Sequence, residues 1–336
     1  MPKSPEHILV IRLSAMGDVA MTVPVLRAFT KQYPLVKITV LTRGFFMPFF
    51  KGIPNVNVFA ADLKGKHKGV FGLYKLSKEL KALGVTQVAD LHNVLRTNIL
   101  KTFFLGTKVV QIDKGRAEKK ALVSGDVFQQ LKTTHQRYAD VFKALGYPID
   151  LSQPEFPKPS PLTLKGFEYK SEKWVGIAPF AAHEGKMYPL ELMKEVIAEL
   201  SKDYHVILFG GGKEEAQTLK NIAKSFDNVT NTAGQLKFDE ELAVISNLDL
   251  MLAMDSGNAH MAAMQGVKVI TIWGVTHPFA GFAPFNQPED YALVADRNQF
   301  PLVPTSIYGN KYPEGYEKAS ASISPQTIIE KIKAVI

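Results

Sequence analysis

The stretch LDLMLAMDSGNAHMAAMQGVKVITIWG, residues 248–274, contains a complete strand–helix–strand pattern. An apolar run ends at Met254, a short polar turn follows, and a helical stretch closes at Gly266 before a second apolar run. Two short apolar runs joined by a helix are typical of parallel strands with a crossover helix. The stretch therefore predicts a parallel α/β sheet in this part of the chain.

The same alternation runs through the rest of the chain, in two halves separated by the proline-rich segment 147–162. It predicts an α/β fold with one domain at 1–155 and a second at 162–324. Strands are predicted at 8–11, 37–41, 56–60, 85–90, 108–112, 174–178, 205–209, 248–254 and 267–273. Helices are predicted at about 18–32, 70–83, 94–104, 133–145, 189–202, 213–226, 238–246, 257–265 and 325–335.

Composition narrows the class of protein and its location. Cysteine is absent from the 336 residues, which excludes disulfides and thiolate metal sites and favours the cytoplasm. No apolar stretch approaches the roughly 20 residues of a membrane-spanning helix. Residues 1–155 contain 23 basic and 11 acidic side chains, whereas the remainder contains 17 and 21. The basic first half indicates an anionic partner, either nucleic acid, an acidic membrane or an anionic substrate; a solvated lysine-rich surface is the alternative.

The turn inside 248–274 is the first candidate for a binding site. Asp255, Ser256 and Gly257 stand at a predicted helix start, whose free amides favour a phosphate. His260, one helical turn later, could face that phosphate. Simple capping by Asp255 or Ser256, with a packed His260, is the alternative interpretation.

Two further strand ends in the second half carry residues suited to an anion. Lys186 follows the strand at 174–178 and could bind a phosphate as a point charge, although a solvated loop lysine is the alternative. Gly211 and Gly212 follow the strand at 205–209 and permit close approach of a ligand to the backbone, with a plain strand-to-helix turn as the alternative. Neither the Walker A spacing nor the dinucleotide fingerprint is present.

The opening strand ends in RLSAMGDVAM, residues 12–21, where a glycine turn precedes a helix. Such a turn usually indicates a phosphate loop, but Asp18 is an acid where neutral or basic groups are expected. The stretch is open to three interpretations, namely a nucleotide loop, a helix cap, or a site that needs a base.

Basic side chains of the first half could bind an anionic acceptor. They are Lys64, Lys66, Lys68, Arg96 and Arg116, with solvated loop charge as the alternative. No metal-binding motif occurs, so a metal-free mechanism is favoured and cationic groups would have to stabilise a departing phosphate. Basic residues interleaved with aromatic ones, as in RNA-binding domains, are also lacking, which argues against RNA, and no nucleic-acid partner is expected.

Four segments in order resemble the ADP-heptose:lipopolysaccharide heptosyltransferases, glycosyltransferase family 9. They are SAMGDVAMTVPVLRAF, FAAHEGKMYP, MDSGNAHMAA and WGVTHP. The resemblance runs from about residue 8 to residue 280. It implies a GT-B fold, in which two Rossmann-like domains with parallel sheets face each other across a cleft. It also implies that the last helix, 325–336, packs on the N-terminal domain.

The resemblance further implies an inverting, metal-independent glycosyltransferase without a cofactor, which moves heptose from ADP-heptose to the lipopolysaccharide inner core. Asp18 would be the general base, Lys186 would bind the donor diphosphate and Asp255 would contact the donor sugar. Ser256, Gly257 and His260 would shape the phosphate pocket. The adenine would lie near Gln235 and Leu236.

The acceptor would be an anionic lipid A core bound by the N-terminal half, with the protein cytoplasmic and peripheral on the inner membrane face. The chain departs from the family at Ala181 and Ala182, where hydroxyl side chains are usual, and at Tyr188, which replaces a tryptophan. The alternatives are another nucleotide-sugar donor, a GT-B epimerase or hydrolase that turns over a sugar nucleotide without an acceptor, or a non-catalytic protein that binds a nucleotide sugar or an anion.

Overall fold

The computed structural model describes residues 6–164, 166–167 and 172–336, which form two compact units. Unit 1 contains the described residues up to Lys114 together with Thr134–Glu155, and unit 2 contains Gly115–Thr133 and Phe156–Ile336. The strands are β1 His7–Ile11, β2 Lys37–Thr42, β3 Val56–Ala60, β4 Gln87–Asp90, β5 Lys108–Gln111, β6 Trp174–Ala178, β7 His205–Leu208, β8 Val229–Asn231, β9 Leu250–Met254, β10 Lys268–Trp273 and β11 Ala292–Val294. The α-helices are α1 Met16–Ala20, α2 Thr22–Gln32, α3 Gly69–Ala82, α4 Leu95–Thr102, α5 Arg116–Ser124, α6 Thr134–Leu145, α7 Leu190–Leu200, α8 Gly212–Ala223, α9 Phe238–Ile245, α10 Gly257–Ala263 and α11 Pro325–Val335.

Unit 1 is built on a five-stranded parallel sheet in the order β3-β2-β1-β4-β5. The strand order reverses between β1 and β4, where Ile11 pairs with Asp90. Open α/β sheets bind ligands at such a switch point, beyond the carboxyl ends of the strands. Residues that follow β1 and β4 therefore lie where a ligand would bind.

Unit 2 is built on a six-stranded parallel sheet in the order β11-β10-β9-β6-β7-β8. Its switch point lies between β6 and β9, where Ala178 pairs with Ala253. Both units thus have the Rossmann-like strand order, and the predicted parallel α/β class is confirmed.

Helix α11 belongs to unit 2. Its side chains Ile328, Ile329 and Ile332 join the buried cluster formed by β6, β7, β9 and α7. Ser324 caps the helix, since its Oγ accepts a hydrogen bond from the Thr327 amide at 3.1 Å. Packing on the N-terminal domain was expected for this helix. Instead, its isoleucines are buried in the core of unit 2.

Segment 115–133, placed by the sequence in the N-terminal domain, also belongs to unit 2. The Leu131 amide donates to the Phe279 carbonyl at 2.9 Å, and the Phe128 ring lies 5.0 Å from the rings of both His277 and Phe279. The segment begins with α5, where the sequence analysis predicted no helix. Contacts of Phe128 with the rings of His277 and Phe279, which lie far along the chain, place this segment in unit 2.

The first predicted helix, 18–32, is two helices in the structure. Helix α1 ends at Ala20, and α2 begins at Thr22 with Pro24 in its first turn. Proline is tolerated there because the first amides of a helix have no intrahelical acceptor. Among the described residues, no helix combines the length and the apolar character needed to cross a membrane.

Candidate active site

The switch point of unit 2 holds an ion pair between Lys186 and Asp255. Lys186 lies in a 3₁₀ turn after β6, Asp255 follows β9, and Nζ is 2.7 Å from Oδ2. The two side chains are 16% and 7% exposed, and Thr276 Oγ1 donates to the same carboxylate oxygen at 3.0 Å. A charge buried to this extent needs a partner, so each residue holds the other in place.

The start of α10, next to this pair, carries buried polar atoms. Ser256 is the N-cap residue, but its side chain makes no capping hydrogen bond. Within the described part of the chain, neither Ser256 Oγ nor Asn258 Oδ1 has a hydrogen-bond partner. Buried polar atoms are seldom left unpaired, so simple capping by Ser256 does not account for this turn. His260 is buried one turn into the helix.

The glycines after β7 lie at the same edge of the sheet, but one of their amides is already occupied. Gly212 has a φ of +78°, and the Gly211 amide donates to Glu215 Oε2 at 2.7 Å. A carboxylate therefore stands where the sequence predicted a bound anion. This contact weakens the case for Gly211 as a phosphate ligand.

Gln235 and Leu236 follow β8, the outermost strand on this side of the sheet. Gln235 is exposed, Leu236 is half-buried, and the Gln235 amide donates to the Thr232 carbonyl at 3.0 Å. Two strands separate β8 from β9, so these residues lie further from Asp255 than Lys186 does.

The switch point of unit 1 holds a second ion pair, between Arg12 and Asp18. Arg12 Nη2 lies 2.6 Å from Asp18 Oδ2, which also accepts the Ala15 amide at 3.2 Å. Tyr138 donates its hydroxyl to the Asp18 carbonyl at 3.2 Å. The Asp18 side chain is 29% exposed. This carboxylate is therefore both held in place and open to a ligand.

Arg12 was missed by the sequence interpretation. Its Nη1 donates to the Leu91 carbonyl at 2.7 Å, which ties the end of β1 to the residue after β4. A signal was present, because an arginine directly after a fully buried strand needs an acid nearby.

His92 and Asp90, at the end of β4, were also missed. Asp90 is fully buried and is satisfied by Lys101 at 2.6 Å, by the Thr97 hydroxyl and by the amides of His92 and Asn93. Burial, aided by the positive charge of Arg12, lowers the pKa of His92 to about 4. A neutral imidazole therefore stands beside the Arg12–Asp18 pair at pH 7.

Four of the five predicted acceptor cations belong to unit 1. Lys64, Lys66 and Lys68 are exposed in the turn after β3, and Arg96 is exposed in the first turn of α4. Lys66 is 2.8 Å from Glu79, so part of its charge is already compensated. The fifth cation, Arg116, begins α5 and therefore belongs to unit 2, contrary to the prediction.

No group of three or more His, Asp and Glu side chains is placed to hold a metal ion in the part of the chain that the structure describes.

At one departure from the family motif, Tyr188 is buried and donates its hydroxyl to the Ile323 carbonyl at 2.7 Å. The aromatic side chain thus anchors the turn that carries Lys186.

Two Rossmann-like units with parallel sheets are the architecture of the GT-B glycosyltransferases. Residues 73–303, well over half of the chain, match the model of glycosyltransferase family 9 (heptosyltransferase). The chain belongs to this family and is a glycosyltransferase.

Known relatives cover nearly the whole chain. The lipopolysaccharide core heptosyltransferase OpsX of Haemophilus influenzae is 27% identical, over 88% of this chain and 86% of its own. A family 9 glycosyltransferase from Veillonella parvula has a TM-score of 0.75 at 20% identity, covering 100% of this chain and 98% of its own. The E. coli heptosyltransferase WaaC with ADP-2-deoxy-2-fluoro heptose has a TM-score of 0.69 at 17% identity, covering 98% and 99%.

Proposed function

We propose that this enzyme transfers heptose from ADP-heptose to the inner core of lipopolysaccharide, with inversion at the anomeric carbon and without a metal ion. The observation that carries the proposal is the Lys186–Asp255 pair at the switch point of unit 2. Family membership and the name of OpsX support the donor and acceptor classes. The ADP-sugar complex of WaaC supports a nucleotide diphosphate as the leaving group.

Lys186 would bind the donor diphosphate. An ammonium has three N–H donors, so Lys186 can keep its contact with Asp255 and still donate to a phosphate oxygen. The amides at the start of α10, next to Ser256 and Gly257, add partial positive charge. Asp255, fixed by Thr276, would accept a hydroxyl of the donor sugar, and Ser256 Oγ and His260 would complete the pocket. Gln235 and Leu236 would lie toward the adenine.

Asp18 would act as general base. In the described structure, Arg12 and the Ala15 amide both contact Oδ2 of this carboxylate. Its other oxygen, Oδ1, is therefore available to a ligand. The acceptor hydroxyl would attack the anomeric carbon opposite the ADP and lose its proton to Asp18. The bond from that carbon to the phosphate oxygen would break as the new bond forms, and ADP would leave with the electron pair. Lys186 and the α10 amides would stabilise the added negative charge.

Unit 1 would bind the anionic acceptor through Lys64, Lys66, Lys68 and Arg96. Unit 1 also has exposed apolar side chains. Contact between these side chains and a membrane would bring a cytoplasmic enzyme to its lipid-anchored acceptor. Five of these side chains follow the ends of β2, β3 and β4 and are called the apolar rim: Phe45, Met47, Val70, Phe71 and Leu95. Parallel strands end at one edge of a sheet, so the rim lies at the same edge as these cations. Mixed apolar and cationic surfaces bind anionic bilayers, and we propose peripheral association with such a membrane.

The function is tested by incubating the protein with ADP-heptose and a heptose-deficient core acceptor and measuring ADP release. Release that requires both substrates and persists in a chelator is expected, and the anomeric configuration of the product reports inversion. Release without acceptor would indicate a hydrolase. Release only with another nucleotide sugar would correct the donor, and no turnover with any nucleotide sugar would leave a binding protein.

A further inference from the structure

The segment from Thr305 to Tyr312 lies against the turn that carries Lys186. The Thr305 amide donates to the Val275 carbonyl at 3.0 Å, and the Val275 amide donates to the Gly185 carbonyl at 2.9 Å. At the other end of the segment, the Tyr312 hydroxyl donates to Glu184 Oε2 at 3.1 Å. The segment is thus hydrogen-bonded directly to Glu184 and, through Val275, to Gly185, the two residues that precede Lys186.

Gly309 touches the side chain of Lys186 itself. A Cβ atom added at Gly309 would lie 2.5 Å from Lys186 Cγ, 3.1 Å from Cε and 3.2 Å from Cδ. The stem of the lysine therefore lies flat across the Gly309 α-carbon, in space that any other residue would fill. A hydrogen bond fixes the position of Gly309, because its amide donates to the Oγ of buried Ser306 at 3.0 Å.

A lysine side chain needs such support to keep a single position. Its four-carbon stem is flexible, and ordering it costs up to about 2 kcal/mol in lost rotamer freedom. The ion pair with Asp255 restrains only the amine. Contact along the stem restrains the remaining torsions and directs the amine to the switch point.

We propose that segment 305–312 positions Lys186, with Gly309 as the positioning residue. The consequence for donor binding rests on the proposed function, because it requires Lys186 to be a ligand of the diphosphate. Gly309 does not touch the donor in this scheme and acts only through the lysine.

The test compares Gly309→Ala with Gly315→Ala. Both glycines have a positive φ, +78° and +84°, so alanine at either position has a backbone conformation that residues with a side chain rarely adopt. An added Cβ at Gly315 meets nothing within 4 Å, which makes it a matched control. Thermal unfolding of both variants measures the shared strain. A third variant, Ser306→Ala, releases the Gly309 amide without placing an atom against Lys186.

The first readout needs no substrate. The rate at which an acylating reagent modifies the Lys186 amine is followed by peptide mass spectrometry. We expect a several-fold higher rate in Gly309→Ala and a smaller increase in Ser306→Ala, because the amine leaves its partly buried ion pair. Gly315→Ala should match the wild type. An unchanged rate in both Gly309→Ala and Ser306→Ala would overturn the proposal.

The second readout is the dissociation constant for ADP, measured by calorimetry. Gly309→Ala should weaken binding about tenfold, part of the value of a charged hydrogen bond. When Lys186 is itself replaced by alanine, the Cβ added at Gly309 no longer meets the lysine stem. Gly309→Ala should then cause no further loss of ADP affinity. An additive loss there would contradict positioning through the lysine. Faster acylation with unchanged ADP affinity would support positioning and refute the donor role of Lys186.

Discussion

Lys186 Nζ lies 2.7 Å from Asp255 Oδ2, at the point where the chain leaves the neighbouring strands β6 and β9. A parallel sheet brings these strand ends together even though β7, β8 and their helices intervene in the sequence. The pair therefore places one cation and one anion at the position where Rossmann-like sheets bind ligands. The proposed donor chemistry depends on this arrangement.

Replacing Lys186 with alanine should weaken ADP binding by about 10- to 100-fold, the value of a lost charged hydrogen bond. Turnover should fall as well, because the same amine would stabilise the leaving phosphate. Calorimetry with ADP measures the first effect and initial rates measure the second. Lys194→Ala, at a surface lysine paired with Glu191 on α7, is the control and should behave as wild type. Normal ADP affinity in Lys186→Ala would contradict the assignment.

Asp18→Asn should lower kcat by about 10²- to 10⁴-fold, the usual contribution of a general base. The donor dissociation constant should stay nearly unchanged, because Asp18 belongs to unit 1 and is assigned no donor contact. Steady-state kinetics with both substrates separates the two effects. Asp150→Asn, which alters an exposed carboxylate of unit 1, provides the comparison. A collapse of donor affinity in Asp18→Asn would assign Asp18 to the donor or to the fold.

The free energy of unfolding should fall as the pH drops from about 6.5 toward 4, in part through His92. Unfolded His92 takes up a proton near its ordinary pKa of 6.5, whereas the folded protein keeps it neutral down to about 4. The unfolded state therefore binds more protons in this window and is favoured there. At about 1.4 kcal/mol per pH unit, His92 accounts for at most about 3 kcal/mol.

Urea titrations of wild type and His92→Gln across this pH range measure that contribution. The variant should lose less stability than the wild type on acidification. Part of the slope should remain, because burial also lowers the pKa of His277 to about 4. Equal slopes in both proteins would show that His92 is not held neutral.

Binding to anionic vesicles should depend on the apolar rim of unit 1. Val70 and Phe71 are 56% and 91% exposed, so replacing both with serine removes apolar contact area without opening the core. We expect about a tenfold weaker partition into phosphatidylglycerol vesicles, given the transfer free energy of such side chains. Cosedimentation measures the bound fraction.

Leu105→Ser is the matched control for the rim. Leu105 is 87% exposed but precedes β5, at the opposite edge of the sheet, so this variant should bind vesicles like the wild type. Binding should also weaken with added salt and with neutral phosphatidylcholine. Equal loss in both variants would indicate nonspecific adsorption, and no binding by the wild type would refute the membrane proposal.

The sequence alone was sufficient for the fold class and for the central strands. Buried parallel strands such as Ile8–Ile11 and Leu250–Met254 are continuous apolar runs, and the helices between them show the helical period. The three-residue strands β8 and β11 were missed because so short a run carries no periodic signal. Family motifs identified Asp18, Lys186 and Asp255 as candidates without showing what each of them contacts.

Only the tertiary structure decided how these residues are paired. Lys186 with Asp255, and Gly309 against the Lys186 stem, are contacts between segments far apart in the chain. Arg12 pairs with nearby Asp18, but its Nη1 also donates to the Leu91 carbonyl, far along the chain. Local patterns determine where a strand or helix forms, because their hydrogen bonds and burial repeat over a few residues. Contacts between distant segments depend on which surfaces fit once the sheets have formed. For the same reason, the membership of segment 115–133 and α11 in unit 2 emerged only from the packed core.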